Sequence, residues 1–407
     1  MGQTITEHLE TVVQDSTDVL VVGGGIAGVA AAVAARRQGR DVLLLEKTAL
    51  FGGLATEGLI NWYEPLCDGH GTQLIRGLAE ELLHLSIRYG PDTLPLIWQE
   101  QTADRGGALP VKHHPVYGRY ATYFSPTLFQ LALDELLRKE GVRVRLCISG
   151  VRPLMDENNR CTGMVTESVS GRQAFLARAV IDATDNAAVL SRAGIPCAEG
   201  ANYFSFVAHE MNTEAADNVI SRRKWRSLGS DLFGNGHPEG KPFLSGTTNE
   251  EETAFLLEGR QQLLEEIRGW DRIRRDITAL PSLPQFRKTR RLCGGYTLTE
   301  NDQARHHERS VALLCDFDRP GDWYELPLEC LYHPLYPNLL AAGRMISSDG
   351  WAWDVTRVIP ACAASGEAAG IAAALALDED LPICRVEIER LQRRIRGQNG
   401  LVFRTEA

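Results

Sequence analysis

Three glycines near the start of the chain have the types and spacing of a phosphate-binding loop. Gly23, Gly25 and Gly28 form a G-x-G-x-x-G motif between the apolar run at residues 19–22 and a run of small, helix-forming residues. Such a turn lets backbone N–H groups and the positive end of a helix dipole approach a pyrophosphate. Glu46 ends the next apolar run, where a carboxylate accepts hydrogen bonds from a ribose 2′-hydroxyl and repels a 2′-phosphate. The motif therefore predicts a dinucleotide site that disfavours NADP.

Later segments bear on which dinucleotide is bound. Gly52 and Gly53 follow the second apolar run, where a glycine pair would let backbone amides approach the ribityl phosphate of FAD. Near the other end of the chain, residues 338–344 and 357–370 read as the closing strand and helix of the same nucleotide domain. A chain that leaves a dinucleotide fold and returns to finish it is typical of FAD enzymes. No second G-x-G-x-x-G occurs in the sequence, so no separate NAD(P)H domain is predicted.

Six stretches spread over most of the chain match one family pattern: residues 21–46, 52–58, 77–82, 124–182, 291–302 and 324–377. On these stretches the chain resembles the FAD-dependent oxidoreductases with the glutathione-reductase-type nucleotide fold, which are distantly related to the fumarate reductase flavoproteins. Residues 183–186 depart from the pattern, because they read Ala-Thr-Asp-Asn where such families usually have Ala-Thr-Gly-Asp. The missing glycine bears on the turn near the adenine and pyrophosphate. The resemblance implies non-covalent FAD.

The resemblance also implies where the flavin lies. In similar flavoproteins the start of the C-terminal helix faces the pyrimidine edge of the isoalloxazine, where a helix N-terminus stabilises the negative charge of reduced flavin. Val358 and Ile359 are the predicted backbone donors there. Arg357 serves the same charge, anchors a substrate carboxylate or forms a structural ion pair. The predicted FAD contacts are Gly23, Gly25, Ile26, Ala27, Gly28, Glu46, Lys47, Gly52, Gly53, Leu54, Ala183, Thr184, Asp185, Gly343, Arg344, Val358 and Ile359.

Catalytic residues are harder to predict, because flavin carries the redox chemistry and the protein adds an acid or base and substrate anchors. We expect His209 and Asp354 to form the acid–base pair, with Arg357 beside them. Each of these has a structural alternative. His70 is a weaker candidate for covalent flavin attachment. Other polar and aromatic candidates are His113, His114, Tyr117, Tyr120, Tyr123, Arg287, Arg290, Arg291, Trp351 and Trp353.

The elements that would position these residues follow a Rossmann-like order. The sequence predicts an α/β fold, in which a Rossmann-like FAD-binding domain with a central parallel sheet and an antiparallel meander carries an inserted α+β substrate domain. The FAD-binding domain is discontinuous, at residues 16–90, 124–195 and 336–380. The substrate or cap domain takes 91–123 and 196–335, an N-terminal tail takes 1–15, and a C-terminal extension takes 381–407.

Composition restricts the partners. A net charge of −10 argues against a general nucleic-acid binder. The nine cysteines include no C-x-x-C pair, which favours reduced thiols in a cytoplasmic protein over a zinc or iron–sulfur site. The first residues lack the features of a signal peptide, and the Ala-rich run at 361–377 predicts a buried helix, with no membrane partner. We expect a small-molecule substrate, while the electron acceptor and the oligomeric state stay open.

These observations predict an FAD-dependent oxidoreductase that transfers hydride between a small organic substrate and flavin N5, with reoxidation by oxygen, a quinone or a carrier. The alternative is an FAD-dependent monooxygenase or hydroxylase that uses NAD(P)H and oxygen. A protein of another class, such as a lipid-anchor chaperone of the GDP-dissociation-inhibitor kind, would not need Gly23, Gly25, Gly28 and Glu46. A tRNA-modifying flavoprotein is disfavoured by the acidic charge balance.

Overall fold

The computed structural model describes residues 5–95, 98, 119–214 and 223–407. The helices are α1 Ile26–Arg37, α2 Leu78–Ile87, α3 Pro126–Glu140, α4 Ala188–Arg192, α5 Asn249–Ile267, α6 Gly350–Thr356, α7 Ile359–Glu379 and α8 Ile388–Gly397. The strands are β1 Val12–Val22, β2 Val42–Leu45, β3 Trp62–Tyr63, β4 Thr122–Tyr123, β5 Arg143–Arg145, β6 Ser149–Met155, β7 Cys161–Ser168, β8 Gly171–Asp182, β9 Cys197–Glu199, β10 Ser205–Asn212, β11 Arg223–Gly229, β12 Arg275–Ala279, β13 Arg290–Leu292, β14 Ser310–Cys315, β15 Trp323–Pro327 and β16 Leu339–Ala341.

The large sheet combines parallel and antiparallel pairing. β5, β2, β1 and β8 run parallel in that order, and β16 pairs parallel with the end of β8. β7 pairs antiparallel with the start of β8, and β6 pairs antiparallel with β7. The predicted α/β fold, with a central parallel sheet and an antiparallel meander, is confirmed. β1 begins at Val12, so residues 12–15, which the sequence assigned to an N-terminal tail, pair with β8 instead.

Small residues allow α1 and α7 to pack closely. A Cβ on Gly366 would overlap the carbonyl oxygen of Ala27, and one on Gly370 would overlap that of Ala31. Glycine is used where two backbones approach this closely. By length and composition α7 is apolar enough to span a membrane, but 94% of its apolar window is buried inside the protein. α7 is therefore a core helix, as the sequence predicted.

The insertion has a small core of its own. β10 lies between β11 and β12 in a three-stranded antiparallel sheet, and α5 covers it with Phe255 packed against Phe206 and Phe286. This is the predicted inserted α+β domain. Apolar side chains between residues 292 and 332, which the sequence places in the substrate domain, pack into the main core. Within this segment β14 lies against α7 and pairs with β15.

A carboxylate lies in the core where α7 meets α2. Glu367 Oε2 accepts a hydrogen bond of 3.0 Å from the backbone N–H of Leu78, at the start of α2. Its Oε1 has no hydrogen-bond partner among the described residues. Burial raises the pKa of Glu367 from its ordinary 4.5 to about 8, against a smaller opposite effect of the Leu78 hydrogen bond. The side chain is therefore protonated at neutral pH.

A raised pKa in the folded state makes stability depend on pH. The contribution of protonated Glu367 to stability is fully present below about pH 4.5, the ordinary pKa of glutamate. It is lost as the pH rises through about 8, the pKa in the folded protein. We expect Glu367→Gln to remove this loss. Relative to the wild type, the free energy of unfolding of the variant should therefore rise by up to about 1.4 kcal/mol for each pH unit between the two pKa values. Urea unfolding at about pH 6 and about pH 9 measures the difference.

The matched control is Glu379→Gln near the end of the same helix, whose carboxylate pairs with Arg390 at the protein surface. This variant should keep the pH dependence of the wild type. If Glu367→Gln shows the same change of stability between the two pH values as the wild type does, the carboxylate is not protonated in the core and the prediction is wrong.

Candidate functional site

The first and third glycines of the motif form the turn between β1 and α1. Gly23 has a φ of 106°, in the left-handed region, and a Cβ on it would overlap the carbonyl oxygen of Ala183 at the end of β8. A Cβ on Gly28 would overlap the carbonyl oxygen of Gly23. Both positions require glycine, the first for the turn and the third for close packing of helix and strand.

The second glycine faces open space. Gly25 is the N-cap of α1 and has ordinary dihedral angles, with a φ of −63°. A Cβ on Gly25 would have Asp185 Oδ1 as its nearest neighbour, at 4.0 Å. No side chain in the described part of the chain caps this end of α1, so N–H groups of its first turn remain available to an anion. The geometry fits a pyrophosphate that approaches the backbone at Gly25.

Glu46 is held beside this loop at the end of β2. Its Oε2 accepts a hydrogen bond of 2.5 Å from the backbone N–H of Gly24, and its Oε1 accepts one of 2.8 Å from the N–H of Thr48. The residue is only 7% exposed. Backbone donors thus fix the carboxylate at the rim of the cleft, where it can accept further hydrogen bonds from a ribose.

A second glycine pair lies against the first loop. The backbone N–H of Gly52 donates to the carbonyl oxygen of Gly24 at 2.8 Å, and Gly25 and Gly52 form a parallel bridge. A Cβ on Gly53 would lie 3.2 Å from the Cα of Gly25. The two glycine segments therefore form one continuous backbone surface next to the start of α1.

Asp185 explains how the chain manages without the glycine expected after Ala183-Thr184. Asp185 has a φ of 72°, in the left-handed region that favours glycine. Aspartate tolerates this region better than most residues. Its backbone carbonyl also accepts a hydrogen bond of 3.0 Å from Arg344 Nε, and its carboxylate lies 3.8 Å from the same atom. The turn is preserved, and Arg344 ties it to the segment after β16.

Two cavities adjoin each other at the glycine loops and the start of α7. The first, hereafter the nucleotide cleft, is lined by Gly23, Gly25, Glu46, Lys47, Thr184 and Asp185, among others. The second, hereafter the inner cavity, has a volume of about 650 Å³ and is lined by Trp62, Glu64, Arg287, Arg357, Val358 and Ile359, among others. Leu54, Phe286 and Arg344 line both. The glycine loops and the start of α7 therefore lie at two neighbouring cavities, an arrangement that suits an extended ligand such as a dinucleotide.

Glu64 lies at the N-terminus of α7, in the wall of the inner cavity. Its Oε2 accepts a hydrogen bond of 3.2 Å from the backbone N–H of Ile359, the first residue of the helix. Burial raises the pKa of Glu64 from 4.5 to about 7, while hydrogen bonds to backbone N–H groups and the charge of Arg357 act in the opposite direction. A carboxylate with a pKa near neutrality in a cleft is a candidate acid or base. The sequence analysis missed Glu64, which carries no motif.

The predicted acid–base pair does not form. His209 is 2% exposed within β10, its Nε2 lies 2.9 Å from the carbonyl oxygen of Leu59, and burial lowers its pKa to about 4. Asp354, on α6, instead forms ion pairs with Lys288 and with Arg357, the latter at 3.0 Å. Neither residue lines the inner cavity. His209 lines a different cavity, together with Asn61, Tyr123 and Trp225.

The other predicted contacts divide into two groups. Of the FAD contacts named from the sequence, those that line the nucleotide cleft or the inner cavity are Gly23, Gly25, Glu46, Lys47, Gly53, Leu54, Ala183, Thr184, Asp185, Arg344, Val358 and Ile359. The remaining predicted FAD contacts are buried and line neither cavity: Ile26, Ala27, Gly28, Gly52 and Gly343. His70 lies against Gly321 and lines neither cavity. His113, His114 and Tyr117 lie outside the described residues.

Comparison with known proteins agrees with this geometry. A family model described as "FAD dependent oxidoreductase" matches residues 18–255 and 243–395. The chain is similar to p-nitrophenol 4-monooxygenase PnpA from Pseudomonas putida DLL-E4, with 14% identity, 95% of this chain and 84% of that chain covered, and a TM-score of 0.46. It is similar to a geranylgeranyl bacteriochlorophyll reductase-like protein from Thermoplasma acidophilum, with 14% identity, 94% of this chain and 83% of that chain covered, and a TM-score of 0.45.

A third similar structure is the open conformation of a flavocytochrome c3 fumarate reductase, with 14% identity, 89% of this chain and 78% of that chain covered, and a TM-score of 0.42. No curated protein sequence matches the chain. The family match identifies FAD as the cofactor of this chain.

The open side of Gly25 gives a test of FAD binding that is separate from folding. In Gly25→Ala the added Cβ has room within the protein but projects toward the pyrophosphate. We expect the dissociation constant of FAD to rise at least about tenfold, while the free energy of unfolding without FAD changes by no more than about 1 kcal/mol. Fluorescence titration of the FAD-free protein and urea unfolding measure the two quantities.

The matched control is Gly269→Ala, where a Cβ also meets no atom within 4 Å and the position is far from the motif in the sequence. This variant should bind FAD like the wild type. Unchanged FAD affinity in Gly25→Ala would show that the pyrophosphate does not approach the backbone at that glycine.

Proposed function

The chain belongs to the FAD dependent oxidoreductase family, and on that premise we propose that it transfers hydride between a small organic substrate and flavin N5 of non-covalently bound FAD. Bound FAD supplies the redox chemistry, accepting or donating hydride at its ring. The observation that carries the proposal is that the nucleotide cleft and the inner cavity adjoin and share Leu54, Phe286 and Arg344 in their walls. It supports a site in which one dinucleotide reaches a separate chamber for the substrate.

The protein holds the two ends of FAD with backbone groups. The N–H groups at the start of α1 and the glycine segments at Gly25 and Gly53 suit the pyrophosphate, and Glu46 suits a ribose. At the other end, the N-terminus of α7 places the positive end of its dipole at the inner cavity, where the N–H of Ile359 already donates to Glu64 Oε2. A helix N-terminus stabilises negative charge placed there.

Glu64 replaces His209 and Asp354 in our proposal for the proton-carrying group. It lies in the inner cavity, and its carboxyl group is hydrogen-bonded to the first N–H of α7. A pKa of about 7 lets it hold or release a proton under ordinary conditions. It would take up a proton when negative charge develops beside it and release that proton when the charge is removed.

We extend the proposal to the setting of the reaction. Oxygen, a quinone or a carrier takes the electrons in the second half-reaction, and the protein works in the cytoplasm on a small-molecule substrate. The net charge of −10 supports the absence of a nucleic-acid partner, and the burial of α7 supports the absence of a membrane partner. The oligomeric state is left open.

The first experiment is a visible absorption spectrum of the purified protein, repeated on the supernatant after acid precipitation. Flavin absorption that passes to the supernatant is expected for non-covalent FAD. Candidate substrates are then screened anaerobically for loss of the flavin colour. A protein that stays colourless after incubation with FAD would contradict the proposal, and oxygen consumption that requires NADH would favour the monooxygenase alternative.

Removing the carboxyl group of Glu64 tests its assigned role without a known substrate. Because Glu64 changes charge near pH 7 next to the start of α7, we expect the absorption spectrum of bound FAD to shift with a midpoint at about pH 7. In Glu64→Gln this shift should be absent while FAD remains bound. The control, Asp318→Asn, changes another acid of the same cavity wall and should keep the shift. An identical pH profile in Glu64→Gln would assign the titration to another group.

A further inference from the structure

Two arginines on the wall of the inner cavity differ in how their charge is balanced. Arg357 pairs with Asp354, and the same carboxylate also pairs with Lys288. Arg287 forms no ion pair with any residue that the structure describes; its terminal nitrogens donate instead to the backbone oxygen of Asp231 at 3.1 Å and to Ser205 Oγ at 3.3 Å. The inner cavity thus contains a guanidinium with neutral partners only.

The environment of Arg287 is unfavourable for a lone cation. Burial and the positive charge of Arg357 lower the pKa of Arg287 to about 10, and this outweighs the opposite effect of Asp354 and Asp231. Two cations that repel each other in a partly desolvated cavity become favourable when an anion lies between them. The unbalanced charge therefore favours a negatively charged ligand.

The wall also carries three acids, Asp231, Glu64 and Asp318, and none of them forms an ion pair with either arginine among the described residues. The carboxylate of Asp231 accepts hydrogen bonds from the backbone N–H groups of Phe233 and Asn235, at 2.8 and 2.9 Å, and from the Asn235 side chain at 2.8 Å. The carboxylate of Asp231 is thus engaged by hydrogen bonds within its own turn. Glu64 is engaged by Ile359 at the start of α7. Both guanidinium groups keep N–H donors for a ligand. Arg357 donates only from Nε, to Asp354, among its described hydrogen bonds, and Arg287 donates only to Asp231 and Ser205.

The rest of the inner cavity is mainly apolar and aromatic. Trp62, Trp225 and Phe317 line it together with Ile60 and Val207. Apolar walls with a few convergent polar groups are typical of sites for small organic ligands. A ligand that is complementary to both the apolar walls and the arginines has an apolar body and one negatively charged end.

We infer that the substrate is an apolar or aromatic carboxylic acid, whose carboxylate binds between Arg287 and Arg357 while its body lies against Trp62, Trp225 and Phe317. Guanidinium groups present paired N–H donors that match the two oxygens of a carboxylate. The inference rests on the proposed function, since it names the substrate class of the same cavity. It assigns Arg287 to substrate recognition and leaves Arg344 to the FAD side of the cleft.

The test uses the FAD-loaded protein and two probes of the same shape, benzoate and benzamide, which differ in charge. Each is titrated while the absorption spectrum of bound flavin is followed. We expect benzoate to give a saturable spectral change and benzamide to bind at least about tenfold more weakly. In Arg287→Gln the dissociation constant of benzoate should rise at least about tenfold, and in Arg287→Lys, which keeps the charge, it should rise less.

The matched control is Arg272→Gln, which removes one positive charge from an exposed position of the inserted domain and should bind benzoate like the wild type. Equal binding of benzoate and benzamide, or unchanged benzoate binding in Arg287→Gln, would overturn the inference. So would loss of FAD from both Arg287 variants but not from the control, because Arg287 would then serve the cofactor. If the wild type does not bind FAD at all, the proposed function fails; if FAD binds and benzoate has no effect, only the inference about the substrate fails.

Discussion

The close approach of α1 and α7 is the constraint on which the rest of the structure depends. Gly366 and Gly370 lie directly on the carbonyl oxygens of Ala27 and Ala31, so any larger side chain would force the two helices apart. Their contact fixes the end of the chain against its beginning. Because β16 also pairs with the end of β8, the segment that carries Arg344 reaches the turn at Asp185.

One consequence is that both helix N-termini serve the same cleft. α1 begins beside the glycine loops, and α7 begins at the inner cavity. Each places a positive dipole end at its cavity, and at α7 the first N–H donates to Glu64. In the proposed FAD site, backbone dipoles, which substitution of a side chain does not remove, therefore lie at both ends of the cofactor. The side chains of the inserted domain are left free to determine what enters the inner cavity.

The charges of the inner cavity show a division between support and recognition. The carboxylate of Asp354 forms ion pairs with Lys288 and Arg357. Arg287 has only neutral hydrogen-bond partners among the described residues. Glu64 adds a carboxyl group that burial keeps close to half-protonated at neutral pH. A site with one unbalanced cation and one titrating acid suits an anionic substrate whose reaction moves a proton as well as hydride.

The sequence by itself determined the FAD-binding half of the protein, because its signals are local. A glycine that must take a left-handed turn, a buried strand and an acid after the second strand can each be read over a few residues, and they predicted Gly23, Gly25, Gly28 and Glu46. Only the tertiary structure decided the catalytic side. Burial raises the pKa of Glu64 to about 7 against an opposing hydrogen bond from Ile359, which lies 295 residues further along the chain. His209 is buried against Leu59, and Asp354 is paired with Lys288 and Arg357. Such electrostatic environments depend on distances and solvent exclusion, which no local pattern of residues records.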